Sequence, residues 1–249
     1  MFTGIIRETG KIVKITNTTA PGTPNQTALT ELMIECPAIA STRQKGDSIS
    51  IDGVCLTVTK IGSASTSIKD PLTDPTVTTL GSPLPGHPTS TPSAPPSTFT
   101  VQAIPETLAR TIIPTYKPNQ AVNIETPMKL GDELHGHMVQ GHVDFTGTVK
   151  AHKSDGTLTI SFPLDQAKYL AFKGSVTVNG VSLTVSLLNE DSFEVSLIPE
   201  TLATTNLKAL TKGSPVNIEV DLIARYLDSL LQDKAKETTY SFLKERNLI

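Results

Sequence analysis

Residues 53–58 read GVCLTV and residues 180–185 read GVSLTV, so one six-residue stretch occurs twice with a single change, Cys55 against Ser182. In both copies Val and Leu alternate with Cys, Ser or Thr. This period-two alternation predicts a β-strand with one face in a hydrophobic core. Each stretch begins with the Gly of an Asp-Gly or Asn-Gly pair, which is a strong signal for a tight hairpin turn. The chain is therefore predicted to build the same antiparallel β structure twice.

Three further matches extend the repeat over most of the chain. IPETLA and VNIE each recur at a separation of 94 residues, and MFTGIIRETGKIVKI at residues 1–15 resembles MVQGHVDFTGTVKAH at residues 138–152. A repeat of this length is longer than the roughly 20–50 residues of solenoid units. The chain is therefore predicted to contain two copies of one domain, at residues 1–130 and 131–222.

The first copy contains an insertion that the second copy lacks. Residues 63–97 are dense in Ser, Thr and Pro and poor in large apolar residues. Such a composition buries too little surface to offset the entropy of ordering, so we predict a disordered surface segment. In the second copy the same place holds a short turn at residues 188–192.

Short, evenly spaced strands are predicted in both copies, which is typical of a small closed barrel. Besides the two repeated stretches, the predicted strands are 10–16, 28–35, 46–51, 98–103 and 121–125, then 147–152, 157–162, 174–178, 192–197 and 215–220. Pro-Glu-Thr-Leu after the late strand of each copy predicts a short helix, with Pro in its first turn. The predicted fold class is all-β, with two tandem barrels.

The C-terminal segment, residues 223–249, has a different pattern. Ile223, Leu227, Leu230 and Leu231 recur at helical spacing among charged residues, which predicts an amphipathic α-helix. Two interpretations of its apolar stripe stay open at this point. The helix either docks on the barrels of its own chain or packs against copies of itself in an oligomer.

Composition excludes several classes of protein. The formal net charge is -3 and the pI is about 6.0, whereas a nucleic-acid-binding protein usually carries a basic patch. No apolar run approaches the roughly 20 residues that span a bilayer. The two cysteines, Cys36 and Cys55, are too few for the disulfide framework of a small secreted protein. We therefore expect a soluble protein of the cytoplasm.

Several residues are candidates for chemistry, each with a plainer alternative. Cys55 and Ser182 occupy the same place in the two copies, but small residues there are also explained by tight packing, and GVSLTV lacks the frame of a nucleophile elbow. The stretch HGHMVQGH contains His135, His137 and His142. Its spacing matches no metal motif, so proton transfer near neutral pH is the better interpretation. Asp221 has no acidic counterpart in the first copy, although most single aspartates are solvated or cap helices.

Together these motifs resemble riboflavin synthase. The resemblance rests on MFTGI at the N-terminus, the GVCLTV block and its Ser twin, the doubled PETL, and GHMVQGHV. It covers the chain except residues 63–97 and a looser stretch near residues 17–27. Each motif alone is modest, but their order, duplication and spacing are specific. The insertion departs from the family pattern because it replaces a hairpin turn just before Val101.

The resemblance implies a fold, a reaction and an assembly. Members of the family consist of two six-stranded Greek-key barrels and a C-terminal α-helix, and they are homotrimers held by that helix. They dismutate two molecules of 6,7-dimethyl-8-ribityllumazine by four-carbon transfer, which gives riboflavin and 5-amino-6-ribitylamino-uracil. No cofactor or metal is needed, and neither nucleic acid nor a membrane is a partner. The active site lies between the first barrel of one chain and the second barrel of a neighbour.

The resemblance also implies two substrate pockets, one in each barrel. The first is expected to use Gly4, Ile5, Ile6, Cys55, Leu56, Thr57, Val101, Gln102, Ala103, Ile104, Pro105 and Glu106. The second is expected to use Gly141, His142, Val143, Lys173, Ser182, Leu183, Thr184, Ser196, Leu197, Ile198, Pro199, Glu200 and Thr201. Phe2 and Thr3 match a family segment that lies close to the site.

The expected chemistry assigns roles to five of these side chains. A proton must leave the 7-methyl group of one lumazine, and a nucleophile or water must add to C7 of the other. We expect His142, Ser182 and Thr184 to transfer protons or hold water in the second pocket, with Cys55 assisting in the first and Asp221 orienting the interface. Thiolate attack by Cys55 is the less favoured alternative, because nothing near it in sequence lowers its pKa.

Two other function classes stay open. The lumazine-binding accessory proteins of bioluminescence share this fold and duplication, but they are monomers that bind through the first pocket without catalysis. A purely structural two-barrel module is the third class, and it leaves the near-identity of the short blocks unexplained. Both pockets look intact in this sequence, which favours the enzyme.

Overall fold

The computed structural model describes residues 1–19, 28–62 and 97–245, with side chains left undescribed at residue 19, residues 233–243 and residue 245. Residues 63–96 of the predicted disordered insertion therefore lie outside the described residues. The first half contains β1 (Glu8–Thr19), β2 (Ala28–Glu35), α1 (Pro37–Ala40), β3 (Ser48–Ile51), β4 (Val54–Gly62), β5 (Thr98–Ala103), α2 (Pro105–Arg110) and β6 (Ala121–Glu125).

The second half repeats this order of elements. It contains β7 (Phe145–His152), β8 (Thr157–Ser161), β9 (Ser175–Val178), β10 (Val181–Leu188), β11 (Ser192–Ser196), α3 (Pro199–Thr204), β12 (Pro215–Val220) and α4 (Leu222–Glu245). Short 3₁₀ turns span Ile113–Thr115, Leu164–Tyr169 and Asn206–Ala209. The described helices include none long and apolar enough to cross a membrane.

Each half forms a closed antiparallel barrel. The strand order is β1-β2-β5-β4-β3-β6 in the first barrel, and the second has the corresponding order β7-β8-β11-β10-β9-β12. Strands that are distant in the chain, such as β2 and β5, are neighbours in the sheet, which is the Greek-key pattern. The predicted fold class, all-β with two tandem six-stranded Greek-key barrels and a C-terminal helix, is confirmed.

The repeated stretch behaves as its pattern predicts. Val54, Leu56 and Val58 point into the core of the first barrel, whereas Cys55 and Thr57 lie on the outer face of β4. Asp and Gly of the first turn, like Asn and Gly of the second, have positive φ, which a two-residue type I′ hairpin requires. Register shifts at equivalent places in β1 and β7, and in β4 and β10, curve both sheets into barrels.

The two barrels meet across an approximate two-fold axis. Asn123 Nδ2 donates to the carbonyl oxygen of Asn179 at 2.9 Å, and Asn217 Nδ2 donates to that of Asp52 at the same distance. Phe2 and Val139 exchange backbone hydrogen bonds in a short antiparallel bridge. Because equivalent groups from each half bind each other, the interface itself is duplicated.

Helix α4 contacts its own second barrel through ion pairs and further hydrogen bonds, the latter from the Tyr169 hydroxyl to Asp228 and from Arg225 to Gln140. Arg225 pairs with Asp144 at 2.8 Å, and Lys168 pairs with Asp228 at 2.6 Å. The predicted apolar stripe of Ile223, Leu227, Leu230 and Leu231 is instead 53–67% exposed. Docking of that stripe on its own barrels, the first of the two interpretations, is therefore wrong in this structure.

Candidate functional site

The second barrel carries the larger of two equivalent cavities. Its volume is about 400 Å³, and Ser182 on β10 lies beside residues of the N-terminal segment. The cavity is lined by Gly4, Ile5, Ile6, Arg7, Val181, Ser182, Ile198, Glu200, Thr201, Thr204 and Thr205. It is thus bounded by the start of β10, the first turns of α3 and a segment from the opposite half.

The first barrel carries the counterpart around Cys55. This cavity has a volume of about 150 Å³ and is lined by Val54, Cys55, Glu106, Thr107, Arg110, Thr111, Gly141, His142 and Val143. The start of β4, helix α2 and the opening segment of the second half bound it. The two cavities share no lining residue.

The opening segments cross over between the barrels, which corrects the expected grouping of pocket residues. The Ser182 amide donates to the Gly4 carbonyl oxygen at 2.8 Å, and the Cys55 amide donates to the Gly141 carbonyl oxygen at 2.8 Å. Ile6 packs into the core of the second barrel and Val143 against that of the first. Within one chain, Gly4–Ile6 therefore accompany Ser182, and Gly141–Val143 accompany Cys55. The predicted boundary between 1–130 and 131–222 stays a prediction, and packing crosses it.

Glycine is required at the point where each segment crosses. A Cβ atom on Gly4 would lie 2.6 Å from Ser182 Cβ, and one on Gly141 would lie 2.6 Å from Cys55 Cβ. Both glycines have positive φ, +74° and +78°, which L side chains rarely adopt. The backbone of each segment can therefore reach the strand only where a side chain is absent.

A buried glutamate holds each crossing segment in place. Glu125 accepts hydrogen bonds from the Thr3 amide at 2.7 Å, the Thr3 hydroxyl at 2.8 Å and the Gly4 amide at 3.1 Å. Glu219 accepts from the backbone amides of residues 140–142 at 2.7–3.0 Å. Burial raises the pKa of both carboxyls, and these hydrogen bonds oppose the rise.

The environment of Cys55 disfavours a thiolate. Burial is the largest influence and raises the pKa of the Cys55 thiol. The thiolate is the nucleophilic form of cysteine, so this site holds mainly the weaker thiol near neutral pH. The raised pKa therefore agrees with the expectation that Cys55 assists the reaction and does not attack the substrate as a thiolate. His142 lies in the same cavity, its ring is exposed, and its backbone is fixed by Glu219.

Ser182 has a histidine partner that differs from the predicted one. His137 Nδ1 lies 2.7 Å from Ser182 Oγ, whereas His142 lines the Cys55 cavity. His135 pairs with Glu133 at 3.3 Å on the surface. The three histidines of HGHMVQGH therefore have three different neighbours. Among the described residues, no group of three or more His, Cys, Asp or Glu side chains is arranged to hold a metal ion.

Several predicted pocket residues point into the barrel cores. The side chains of Phe2, Leu56, Val101, Ala103 and Leu197 are at most 5% exposed. They pack with other apolar side chains, except that Phe2 is buried where the two opening segments meet. Any ligand contact from the strand residues among them would come from their peptide groups.

Other predicted residues lie on the solvent-exposed surface around the two cavities. On the first barrel these are Thr57, Gln102, Ile104 and Pro105, and on the second Ser196, Thr184, Leu183 and Pro199; all but Gln102 and Leu183 are exposed. Ile104 and Ile198, at equivalent positions, are 51% and 62% exposed. Lys173 is exposed beside the Phe172 ring, and its Nζ lies 5.2 Å from the ring centroid. One chain therefore leaves apolar and hydroxyl groups uncovered beside each cavity.

Asp221 has the helix-capping role that was the plainer alternative for it in the sequence. Its Oδ1 accepts from the Ile223 amide at 2.9 Å, so it caps the start of α4. Its charge also reaches His137, where it partly opposes the lowering of the imidazole pKa by burial. Arg7, Glu125 and Glu219 are site residues that the sequence did not single out, and His137 was a candidate histidine without a predicted place in either pocket. The duplicated VNIE signalled the two glutamates, and HGHMVQGH contained the histidine.

Comparisons with known proteins agree with this architecture. The model of the lumazine binding domain family matches residues 3–127 and 140–221. The riboflavin synthase of Mycobacterium tuberculosis is 34% identical over 238 residues, covering 93% of this chain and 98% of that protein. That of Bacillus subtilis is 33% identical over 253 residues, covering 98% and 99%.

Solved structures support the fold. LumP complexed with riboflavin superposes with a TM-score of 0.66 at 21% identity, covering 88% of this chain and 99% of that one. LumP complexed with 6,7-dimethyl-8-(1'-D-ribityl) lumazine gives a TM-score of 0.64 at 20% identity. The family model matches both halves of the chain, and the relatives are similar over nearly their full length. The chain therefore belongs to the riboflavin synthase family of lumazine binding domain proteins.

Proposed function

We propose that this chain is a transferase that converts two molecules of 6,7-dimethyl-8-ribityllumazine into riboflavin and 5-amino-6-ribitylamino-uracil, the last step of riboflavin biosynthesis. The observation that carries the proposal is the pair of equivalent but unequal cavities. One contains Cys55 and the other Ser182, on the same backbone frame. Two identical substrates need two similar sites, and transfer from one to the other needs sites that differ.

Positioning supplies the largest part of the expected rate enhancement. Holding two reactants in a productive geometry contributes up to about 7–11 kcal/mol in well-oriented systems. A positioned acid or base adds about 10²–10⁴-fold. The proposed reaction needs no cofactor or metal, because the lumazine ring itself delocalises the anion left when a methyl proton departs. We assign proton transfer, water binding and orientation to Cys55, Ser182, Thr184 and Asp221, with His142 beside Cys55 in the first cavity.

We propose that the complete site forms between chains of a homotrimer, from the first barrel of one chain and the second barrel of a neighbour. Two observations support this. The two cavities of one chain share no lining residue. Most residues beside them are exposed to solvent in the single chain, so a neighbouring chain can pack over them. The apolar stripe of α4, which includes Leu227 and Leu230, is exposed in the single chain and suits packing against copies of itself.

Turnover tests the reaction directly. Purified protein is mixed with 6,7-dimethyl-8-ribityllumazine without added nucleotide, with and without a metal chelator, and riboflavin absorbance and fluorescence are followed. We expect one riboflavin for every two lumazines consumed, unchanged by the chelator. Tight lumazine binding without riboflavin would contradict the proposal and indicate a binding protein. No binding at all would indicate a structural module.

A complementation experiment tests the shared site. Cys55→Phe fills the first cavity and Ser182→Phe fills the second, so each variant alone is expected to be inactive. If the site lies between chains, unfolding the two variants together and refolding them as a mixture restores part of the activity. If each chain holds a complete site, the mixture stays as inactive as its components.

We further propose that the protein acts in the cytoplasm. Both cysteines, Cys36 and Cys55, are free thiols, and free thiols persist in reducing compartments. Fractionation of cells that express a tagged chain tests the location, and enrichment of the chain outside the cytoplasmic fraction would contradict it.

A further inference from the structure

We infer that His137 is the proton-accepting partner of Ser182, and that His137 acts on the substrate through the Ser182 hydroxyl. This inference rests on the proposed function, since it concerns the lumazine bound at the second barrel. It moves the role first expected of His142 to a different histidine. Because His137 touches Ser182 and not the reacting atoms, it is a positioning residue that also takes up the proton.

The contact between the two side chains is short and held from several directions. His137 Nδ1 lies 2.7 Å from Ser182 Oγ, well within hydrogen-bonding distance. The His137 amide donates to the Thr3 carbonyl oxygen at 3.3 Å, which ties this residue to the N-terminal segment. A Cβ on Gly136 would overlap the Thr3 carbonyl oxygen and lie 3.0 Å from Ser182 Cβ. The chain can therefore bring the imidazole to Ser182 only because the preceding residue is Gly.

Within the described part of the chain, the other ring nitrogen of His137 makes no hydrogen bond that competes with the one to Ser182. His137 Nε2 is buried and has no hydrogen-bond partner among the described residues. We assign the ring hydrogen to Nε2, so that Nδ1 accepts the Ser182 hydroxyl hydrogen. With Nε2 shielded from water, Nδ1 is the nitrogen that exchanges protons with the cavity.

Charges around the ring favour a base that is neutral at rest. Burial lowers the pKa of His137, and the Asp221 carboxylate partly opposes this. From the N-terminal segment, Thr3 presents its carbonyl oxygen, and the Glu125 carboxyl lies behind it on the Thr3 amide and hydroxyl. From β10, Ser182 presents a hydroxyl. An imidazolium formed during reaction would therefore be stabilised by Asp221, while the resting imidazole stays free to accept a proton.

The proton balance of the step is simple. Ser182 Oγ forms a new O–H bond with the proton that leaves the acidic methyl carbon of the bound lumazine. The original hydroxyl proton of Ser182 passes to His137 Nδ1, and the electron pair of the broken C–H bond stays in the lumazine ring as the anion. Reversal of the step returns a proton from Ser182 to the methyl carbon, and His137 Nδ1 gives its proton back to Ser182 Oγ. No oxidant, reductant or co-reactant takes part.

The test compares His137→Asn, Ser182→Ala and the double variant with the wild-type protein. Asn matches the position of Nδ1 and keeps a hydrogen bond to Ser182, but it does not accept a proton. We expect His137→Asn to lower kcat by about 10²–10⁴-fold with little change in KM. It should also abolish the fall in rate at low pH. In the wild-type protein this fall reflects protonation of His137, and its midpoint should lie below the ordinary histidine pKa of about 6.5. His135→Asn, on the exposed histidine two residues earlier, is the matched control and should keep the wild-type rate.

The double variant shows whether His137 affects the rate through the Ser182 hydroxyl or independently of it. If His137 works through the hydroxyl, adding His137→Asn to Ser182→Ala changes nothing further. Multiplied losses in the double variant would overturn the inference, as would a His137→Asn protein that keeps the wild-type rate and its fall at low pH.

A partial reaction distinguishes failure of this inference from failure of the proposed function. Exchange of the lumazine methyl hydrogens with D₂O, followed by NMR above the uncatalysed background, needs only one bound substrate. A wild-type protein that makes no riboflavin refutes the proposed function, yet slower exchange in His137→Asn would still support the inference. Equal exchange in both proteins, or no enzymatic exchange at all, would overturn it.

Discussion

Replacing Asp52 with Asn is expected to stabilise the protein at neutral pH and to change how its stability depends on pH. Asp52 is fully buried where the barrels meet. Its Oδ1 accepts from the Asn123 amide at 2.7 Å and from Asn206 Nδ2 at 2.9 Å, and its Oδ2 accepts from the Tyr116 hydroxyl at 2.8 Å. Burial outweighs these bonds and raises the pKa of Asp52 from 3.8 to about 7. The second repeat has the neutral Asn179 at the equivalent turn position.

The size and sign of the effect follow from proton linkage. Between pH 3.8 and about 7 the folded protein keeps a proton on Asp52 that the unfolded chain has released. The free energy of unfolding therefore falls as pH rises through this window, by about 1.4 kcal/mol per unit. Over about three units the upper limit is about 4 kcal/mol. Asn carries no titrating proton, so Asp52→Asn removes this loss.

Urea denaturation at several pH values measures the effect. The protein has no Trp, so unfolding is followed by far-UV circular dichroism, at one protein concentration because assembly shifts apparent stability. We expect the wild type and the variant to have nearly equal free energies of unfolding at about pH 4. By about pH 8 the free energy of unfolding of the variant should be higher by up to about 4 kcal/mol. Asp165→Asn, at an exposed aspartate, is the control and should run parallel to the wild type.

Two outcomes would refute the reasoning. A stability difference that is the same at every pH means that Asp52 does not change its protonation state on folding in this range. A variant less stable than the wild type at about pH 8 means that hydrogen bonds to the charged carboxylate outweigh its burial. In either case the preference for a neutral residue at this interface would have to be withdrawn.

Three further predictions concern the crossing segments and α4. Gly141→Ala places a Cβ 2.6 Å from Cys55 Cβ, so it should destabilise the fold by about 1–3 kcal/mol in urea denaturation, whereas Gly131→Ala, with positive φ but open space, should cost less. Glu219→Gln replaces one carboxylate oxygen with an NH₂ donor, so at least one of the three backbone amides loses its acceptor; the variant should raise KM for lumazine several-fold and speed hydrogen exchange of those amides. Leu230→Glu puts a charge on the exposed apolar stripe and should convert the assembly to single chains in sedimentation velocity; an unchanged mass would exclude this stripe as the oligomer contact.

The barrels were predictable because local pattern and duplication agree. Strands predicted at 28–35, 121–125 and 215–220 have those bounds in the structure. The strand predicted at 10–16 is longer, Glu8–Thr19, because its polar ends still pair with neighbouring strands although their side chains show no hydrophobic period. Alternation reports which face is buried, and it does not report how far backbone pairing continues.

The pairing of segments with cavities was not predictable from one sequence. Gly4 and Gly141 match each other in the repeat, so each fits either barrel equally well by pattern. Backbone hydrogen bonds to Ser182 and Cys55, together with two buried glutamates, determine which barrel each segment joins. Such backbone bonds produce no pattern in the side chains of the sequence. The pairing of His137 with Ser182 was not predicted for a related reason. His137 lies just before the repeated segment that begins at residue 138, so comparison of the two copies gave it no counterpart.

The crossed arrangement explains how two similar cavities can treat identical ligands differently. A histidine lines the Cys55 cavity, and a different histidine contacts the serine of the other cavity. His142 belongs to the crossing segment itself, at the position that Ile5 occupies in the other copy, whereas His137 precedes that segment and contacts Ser182 directly. A ligand beside Cys55 therefore meets an exposed imidazole and a thiol that burial keeps protonated, while a ligand beside Ser182 meets a hydroxyl already bonded to a buried base. Duplication preserves the shape that binds the substrate, and the displaced histidine supplies the difference in proton transfer that a dismutation requires.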